Sequence, residues 1–166
     1  MPPLNLRHAV RALVLDERGG RILLCRFAFA RPGGTLVVWA APGGGVERGE
    51  TALDALRREL REEVGFALEG EPPHVWHQEV VDPAHAPGYD GVVNDYFLVP
   101  TPHFGPRGAL TDEQLAAENV TGTRWWRPED IRGYRGTDLF SPRDLGGLLA
   151  RLAADGVPDA PVPVGL

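Results

Sequence analysis

Apolar residues along this chain fall first into short extended runs and then, once, into helical spacing. His8 to Leu15 (HAVRALVL) and Arg21 to Arg26 (RILLCR) are separated by Asp16, Glu17, Arg18, Gly19 and Gly20, which predicts a β-hairpin with a glycine-assisted turn. Thr35 to Ala40 (TLVVWA) reads as a further strand that stops at Pro42 and three glycines, after which the chain is expected to turn sharply. From Thr51 to Val64 (TALDALRRELREEV) there is neither proline nor glycine. Leu53, Leu56, Leu60 and Val64 recur there at spacings of three and four, one stripe of an amphipathic helix. Thr51 followed by Asp54 has the form of a capping box, with aspartate in place of glutamate, and Gly65 is a natural left-handed stop.

Beyond the helix, Val75 to Val81 and Val92 to Val99 read as strands. The loop between them, Asp82 to Gly91, has the length and composition of segments that often carry substrate contacts. Thr123 to Arg127 reads as another strand, followed by a helix start at Pro128, and Pro142 to Asp155 as a last helix with Leu145, Leu148, Leu149 and Leu152 on one face. Strands outnumber helices and flank the first one, so a mixed α+β sandwich is expected rather than a regular βαβ alternation. The 166 residues suit one domain, 1–166, with a proline-rich tail at 157–166 that reads as an extended arm or a loose end and as a candidate homodimer contact.

Composition narrows the chemistry. All 17 basic residues are arginine, so a P-loop lysine or a Schiff base has no residue to use. The one serine, Ser141, precedes a proline and lies outside any nucleophile elbow, and the one cysteine, Cys25, sits in the apolar run Ile22, Leu23, Leu24 and reads as a small core residue. No apolar run approaches the roughly 20 residues that span a bilayer, and the start lacks the order of a signal peptide; the expectation is a cytoplasmic protein without a membrane partner. A net charge of −6 argues against binding extended nucleic acid, while leaving room for a small polyanion held through a divalent cation.

The helix also carries Glu59, Glu62 and Glu63, which at roughly 100° per residue share about a third of the circumference, read here as the flank away from the leucine stripe. The ordinary reading of such a face is solvated charge softened by Arg57, Arg58 and Arg61. What sets it apart is the segment before it, Pro42 to Gly45, where missing side chains let backbone oxygen approach a ligand. Carboxylate and carbonyl oxygens together suit a hard cation, magnesium or manganese.

From Gly44 the chain reads Gly44, five residues, Glu50, seven residues, then Arg58, Glu59, Leu60, Arg61, Glu62, Glu63, Val64, Gly65, Phe66. This resembles the Nudix box, G-x5-E-x7-R-E-U-x-E-E-x-G-U, with U a bulky apolar residue. Seven fixed identities at fixed spacing arise by accident at one start position with a probability on the order of 10⁻⁸. Phe66 stands where an aliphatic residue is more usual, a difference expected to matter for packing. The resemblance implies an α/β/α sandwich with a mixed sheet, and a Mg²⁺-dependent (or Mn²⁺-dependent) pyrophosphohydrolase acting on a nucleotide-like small molecule. By position it implies Glu62 and Glu63 as metal ligands, Glu59 as ligand or general base, the Gly43 carbonyl as a further ligand, and Arg58 as the residue that orients Glu59 and pairs with Glu50. It also implies an acidic ligand well after the box; Glu118 is the candidate, ahead of Glu113 and Asp112. Nucleoside triphosphates, ADP-ribose or a nucleotide sugar, and dinucleoside polyphosphates all remain open as substrates. The alternative is a catalytically silent module that senses a nucleotide or binds a partner.

The remaining signals read as structural. Trp39, Trp76, Trp125 and Trp126 are more often core residues than base-stacking platforms. His8, His74, His77, His85 and His103 show no paired metal spacing. Arg26, Arg107 and Arg124 are ordinary solvated charges unless something places them at a phosphate.

Overall fold

Strand β1 (Leu6–Asp16) is central because both its faces are apolar: Val10, Ala12 and Val14 point to one side and Leu13 to the other. The computed structural model describes residues 2–18 and 20–166. Around β1 lie β2 (Ile22–Arg31), β3 (Gly34–Ala40), β4 (Gly43–Gly45), β5 (His74–Val80), β6 (Gly91–Thr101), β7 (Val120–Trp126), β8 (Leu139–Ser141) and β9 (Val162–Val164). The order along the sheet is β8-β3-β2-β1-β6-β5-β9, with β4 on β1 and β7 on β2. The sheet is mixed: β1 and β6 run parallel from Leu6↔Gly91 to Asp16↔Thr101, while β5 and β6 are antiparallel.

The helices cover both faces. Helix α1 (Ala52–Glu63) lays Ala55, Leu56 and Leu60 on Val10, Ala12, Val14, Leu23 and Cys25. On the other side, Ile131 of α3 (Pro128–Arg132) and Leu145, Leu149 and Leu152 of α4 (Leu145–Asp155) pack on Leu13, Ile22, Leu24 and Trp39. The result is the expected α/β/α sandwich. Trp39, Trp76 and Trp126 are buried in this second layer, as their structural reading required, and Trp125 is half-buried with its indole N–H donating to the Phe104 carbonyl at 3.1 Å.

Several expectations change in detail. The predicted hairpin closes at its turn, through Leu15↔Ile22 and the Asp16 N–H donating to the Arg21 carbonyl at 2.8 Å, but among the described residues its ladder goes no further, because β1 is taken up by β6 and β4 while β2 pairs with β3 and β7. Gly19, placed in its turn, lies outside the described residues. The glycines after Pro42 do not turn but form β4, paired to β1 through Ala9↔Gly45, Val10↔Gly44 and Arg11↔Gly43. The last helix begins at Leu145, not Pro142, and Gly146 lets it close on Arg132 of α3, where a Cβ would collide. The tail is extended as expected, but β9 adds parallel to β5, through Trp76↔Val162. Helix α2 (Asp112–Ala117) and the three-residue β8 were not anticipated.

Candidate active site

The site is built where the end of α1 meets β4. Thr51 caps the helix by accepting from the Asp54 N–H at 3.1 Å while Asp54 accepts from the Thr51 N–H at 3.2 Å, the capping box expected from the sequence. This start sets the rotation of the helix and therefore where its carboxylates point. Glu59 and Glu63 do not lie away from the leucine stripe: they border it, only 7% and 4% exposed, and face the β4 backbone. Glu62 is half-buried on the outer side. The correction is one of angle, since Glu63 and Leu56 fall within about 20° of each other on a helical projection.

Glu59 packs directly on Gly44, where a Cβ would sit 2.5 Å from its Oε1. Glu63 accepts from the Gly43 N–H at 3.3 Å and from the Cys25 thiol at 3.6 Å. Burial above all, then the charge of Glu59, pushes the Glu63 carboxyl up to about 8, against the opposing pull of Arg11 and the Gly43 N–H. Cys25 is itself raised well above a normal thiol by burial and by Glu63, which leaves it a core donor and no nucleophile.

Arg58 is the hub. Its guanidinium donates twice to Glu50, at 2.8 and 3.0 Å, and also to Glu59 Oε1 at 2.9 Å, to the Gly45 carbonyl at 3.0 Å and to Glu62 Oε2 at 3.4 Å. Glu50, held by Arg58 and by the Glu47 N–H, is lowered to about 2. Arg58 therefore ties the loop to the helix and aims Glu59. On the far side of β4, Arg11, which sequence reasoning did not single out, donates to the carbonyls of Ala41 and Gly43, each at 3.3 Å.

Glu118, just past α2, comes within electrostatic reach of Glu59 and Glu62; burial first, then these two charges, raises its carboxyl. All three candidates are exposed; Asp112 is engaged by Arg107 at 2.6 Å, and Glu113 stands in the first turn of α2. Glu63 also lines a cleft of about 370 Å³ whose other walls include Arg107, Leu115, Val120 and Thr123. Phe66 stacks on Phe104 at 5.4 Å, the packing role its departure from the aliphatic pattern suggested.

Glu59 and Glu63 buried against the β4 glycines, with Glu62 half-buried beside them on the same helix, form an arrangement that self-repulsion disfavours and a cation relieves. The candidate ligand atoms, on Glu59, Glu62, Glu63, Glu118 and the Gly43 carbonyl that also accepts from Arg11, would all be oxygen. Such a set fits magnesium or manganese better than a softer ion.

A family model described as the NUDIX domain matches residues 5–145. The chain belongs to the Nudix family. A relative named nucleoside triphosphatase NudI, from Escherichia coli O81 (strain ED1a), is 33% identical over 125 residues, which is 72% of this chain and 82% of that protein. Among solved structures, the E. coli ORF135 protein superposes with a TM-score of 0.65 at 23% identity, over 96% of this chain and 100% of that one. A MutT Nudix hydrolase from Burkholderia pseudomallei gives a TM-score of 0.56 at 26% identity, over 74% and 84% of the two chains. The Nudix fold and the pyrophosphohydrolase class follow, and Nudix hydrolases generally use a divalent metal. Among the described residues, no helix is long and apolar enough to cross a membrane.

Proposed function

We propose that this Nudix hydrolase cleaves the diphosphate linkage of a nucleoside triphosphate, with Mg²⁺ held by Glu59, Glu62, Glu63, Glu118 and the Gly43 carbonyl. The observation that carries the reading is the convergence of the Nudix-box carboxylates on the β4 glycines, with Arg58 fixing Glu59. The kinship to the NudI nucleoside triphosphatases favours a triphosphate over ADP-ribose, a nucleotide sugar or a dinucleoside polyphosphate.

When bound, the cation neutralises the non-bridging phosphate oxygens and acidifies the attacking water. The chain does the rest. Gly43 and Gly44, having no side chains, let β4 close on the Val10 carbonyl and leave Glu59 its place against the strand. Arg58 holds Glu59 in place, and a glutamate within hydrogen-bond reach of the water takes its proton. Water adds in line at phosphorus, the bridging P–O bond breaks, and two phosphate-bearing products leave. The silent-module alternative is disfavoured because every carboxylate of the box is retained.

The test is phosphate or pyrophosphate release over a panel of nucleoside triphosphates, ADP-ribose and dinucleoside polyphosphates, with magnesium and with EDTA. Hydrolysis should require the cation, and Glu63→Gln should lower kcat by about 10² or more with the fold intact. Cation-independent turnover, or near-normal turnover by that variant, would contradict the assignment. Turnover of no substrate would favour the silent module.

A further inference from the structure

Three histidines that carry no metal spacing in sequence meet at one carboxylate. Asp95 on β6 receives His77 Nδ1 at 2.6 Å and His74 Nε2 at 2.9 Å on Oδ1, and His8 Nε2 at 2.7 Å on Oδ2. We propose that His74, His77 and Asp95 form a site for a divalent transition cation of the zinc type, separate from the Nudix-box carboxylates, with His8 holding the second Asp95 oxygen.

The backbone is shaped for this convergence. On a regular strand, residues three apart face opposite sides, so His74 and His77 would diverge. The register of β5 on β6 shifts between His74 and Trp76: His74 pairs with Phe97 and His77 with Asp95, three residues set against two. That bulge turns both imidazoles to the side of Asp95, a use of bulges common where a side chain must be re-aimed. His8 arrives from β1 on the opposite edge of β6.

The donors fit zinc in kind and nearly in spacing. One ligand atom from each of His74, His77 and Asp95 lies within 4.8 Å of the others. Tetrahedral zinc with bonds of about 2.0–2.1 Å puts ligand atoms about 3.4 Å apart, so the two histidine contacts to Asp95 Oδ1 would each open by under roughly 1 Å. Imidazole nitrogen suits zinc, whereas the all-oxygen set at the box suits magnesium, so the two sites sort cations by softness. Asp95 is largely buried while all three imidazoles are partly open, which gives the ion an entry path. With His77 bound through Nδ1, its Nε2 faces Glu79 Oε2 at 3.8 Å, an outer carboxylate of the kind that supports ligating histidines. His74 Nε2 also contacts the Trp76 carbonyl at 3.0 Å. Burial would raise Asp95, but the hydrogen bonds of His77 and His8 and the charges of His74 and His77 keep it below the usual carboxylate value.

A cation here would clamp β5 to β6, with β1 tied in by the His8 hydrogen bond to Asp95 Oδ2. The clamp would reach the Nudix loop through His8, whose carbonyl accepts from the Val46 N–H at 2.9 Å. The inference does not depend on the reaction proposed above. Its test uses tag-free full-length protein, stripped of metal and then saturated with magnesium, titrated with Zn²⁺ by calorimetry and with Co²⁺ by visible absorption. Wild type should bind one equivalent with a histidine-type cobalt spectrum and gain about 4 °C or more in melting temperature. His74→Ala and His77→Ala, both on partly exposed positions, should weaken binding at least tenfold, while Glu63→Gln binds as wild type. The proposal fails if zinc does not bind stoichiometrically, if the histidine variants bind as well as wild type, or if Glu63→Gln abolishes binding. Circular dichroism of each variant separates a lost ligand from a lost fold, and His77→Asn, which should likewise bind at least tenfold more weakly, gives a further arm should an alanine variant unfold.

Discussion

Arg58 places all of its donor capacity within one loop and one helix. Five hydrogen bonds leave its guanidinium, reaching Glu50, Glu59, Glu62 and the Gly45 carbonyl, and an arginine has five N–H groups to give. Its forked pairing with Glu50 is a geometry that lysine cannot copy, since an ammonium offers a point charge without the planar fork. Removing the side chain leaves Glu59 and Glu62 without their counter-charge beside the buried Glu63. Breaking fully buried pairs costs roughly 3–5 kcal/mol, and the partial exposure of this cluster brings the expectation for Arg58→Ala down to about 2 kcal/mol. Arg58→Lys should recover about half of the stability by keeping the charge, and little of the turnover, because Glu59 is no longer aimed. Denaturant midpoints and kcat measured on both variants would decide it. If lysine restored kcat fully, charge alone would be sufficient and the positioning role assigned to Arg58 would be wrong.

At the scale of the element, β4 and α1 work as a pair, and the two glycines of β4 that meet the site fail differently when given a side chain. Gly43 has φ near +152°, and an added Cβ would strike the Val10 carbonyl of the neighbouring strand. Gly44 has ordinary backbone angles and would meet only the end of the Glu59 side chain. Gly43→Ala should therefore cost about 2–4 kcal/mol of stability. Gly44→Ala should cost under about 1 kcal/mol while lowering kcat tenfold or more, because Glu59 has to move. Thermal melts set beside kinetics separate the two, and equal stability losses would contradict this account of the strand. The same elements show how far the sequence could be read. Helix α1, its Thr51 cap and the Arg58–Glu50 pairing were all legible, because cap, period and motif are local in sequence. The burial of Glu59 and Glu63 was not, since which flank of a helix meets a sheet depends on β4, and three glycines after a proline look like a turn until β1 offers them a partner. Helix α2 did announce itself: Thr111 and Gln114 form a capping box, with Gln114 N–H donating to Thr111 at 3.1 Å and Thr111 N–H to Gln114 at 2.9 Å, but with Leu115 as its one large apolar residue it has no periodic stripe. The histidines around Asp95 were hidden for another reason, because the bulge that aligns them is a property of strand pairing and not of spacing.

For the whole molecule, the buried Glu63 and the half-buried Glu50 bend stability against pH in opposite directions. Glu63 is raised to about 8 in the folded chain from an ordinary 4.5. The folded state thus keeps a proton that the unfolded chain has released, and this contribution to stability, complete below pH 4.5, is lost progressively up to about pH 8. Glu50 is lowered to about 2, so its contribution is present above pH 4.5 and lost as pH falls toward 2. Metal-free protein should therefore lose several degrees of melting temperature between pH 5 and pH 8. Glu63→Gln, which stays neutral throughout, should flatten that slope while leaving the acid limb set by Glu50 in place. A divalent cation competes with the Glu63 proton, so magnesium should raise the melting temperature more at pH 8 than at pH 5, and its affinity should climb across the same interval. Melting curves at five pH values, with EDTA and with magnesium, measure all of this. An identical pH slope in wild type and Glu63→Gln would mean that the Glu63 carboxyl is already ionised in the folded chain, and the crowding of Glu59 and Glu63 against β4 would no longer explain why this site wants a cation.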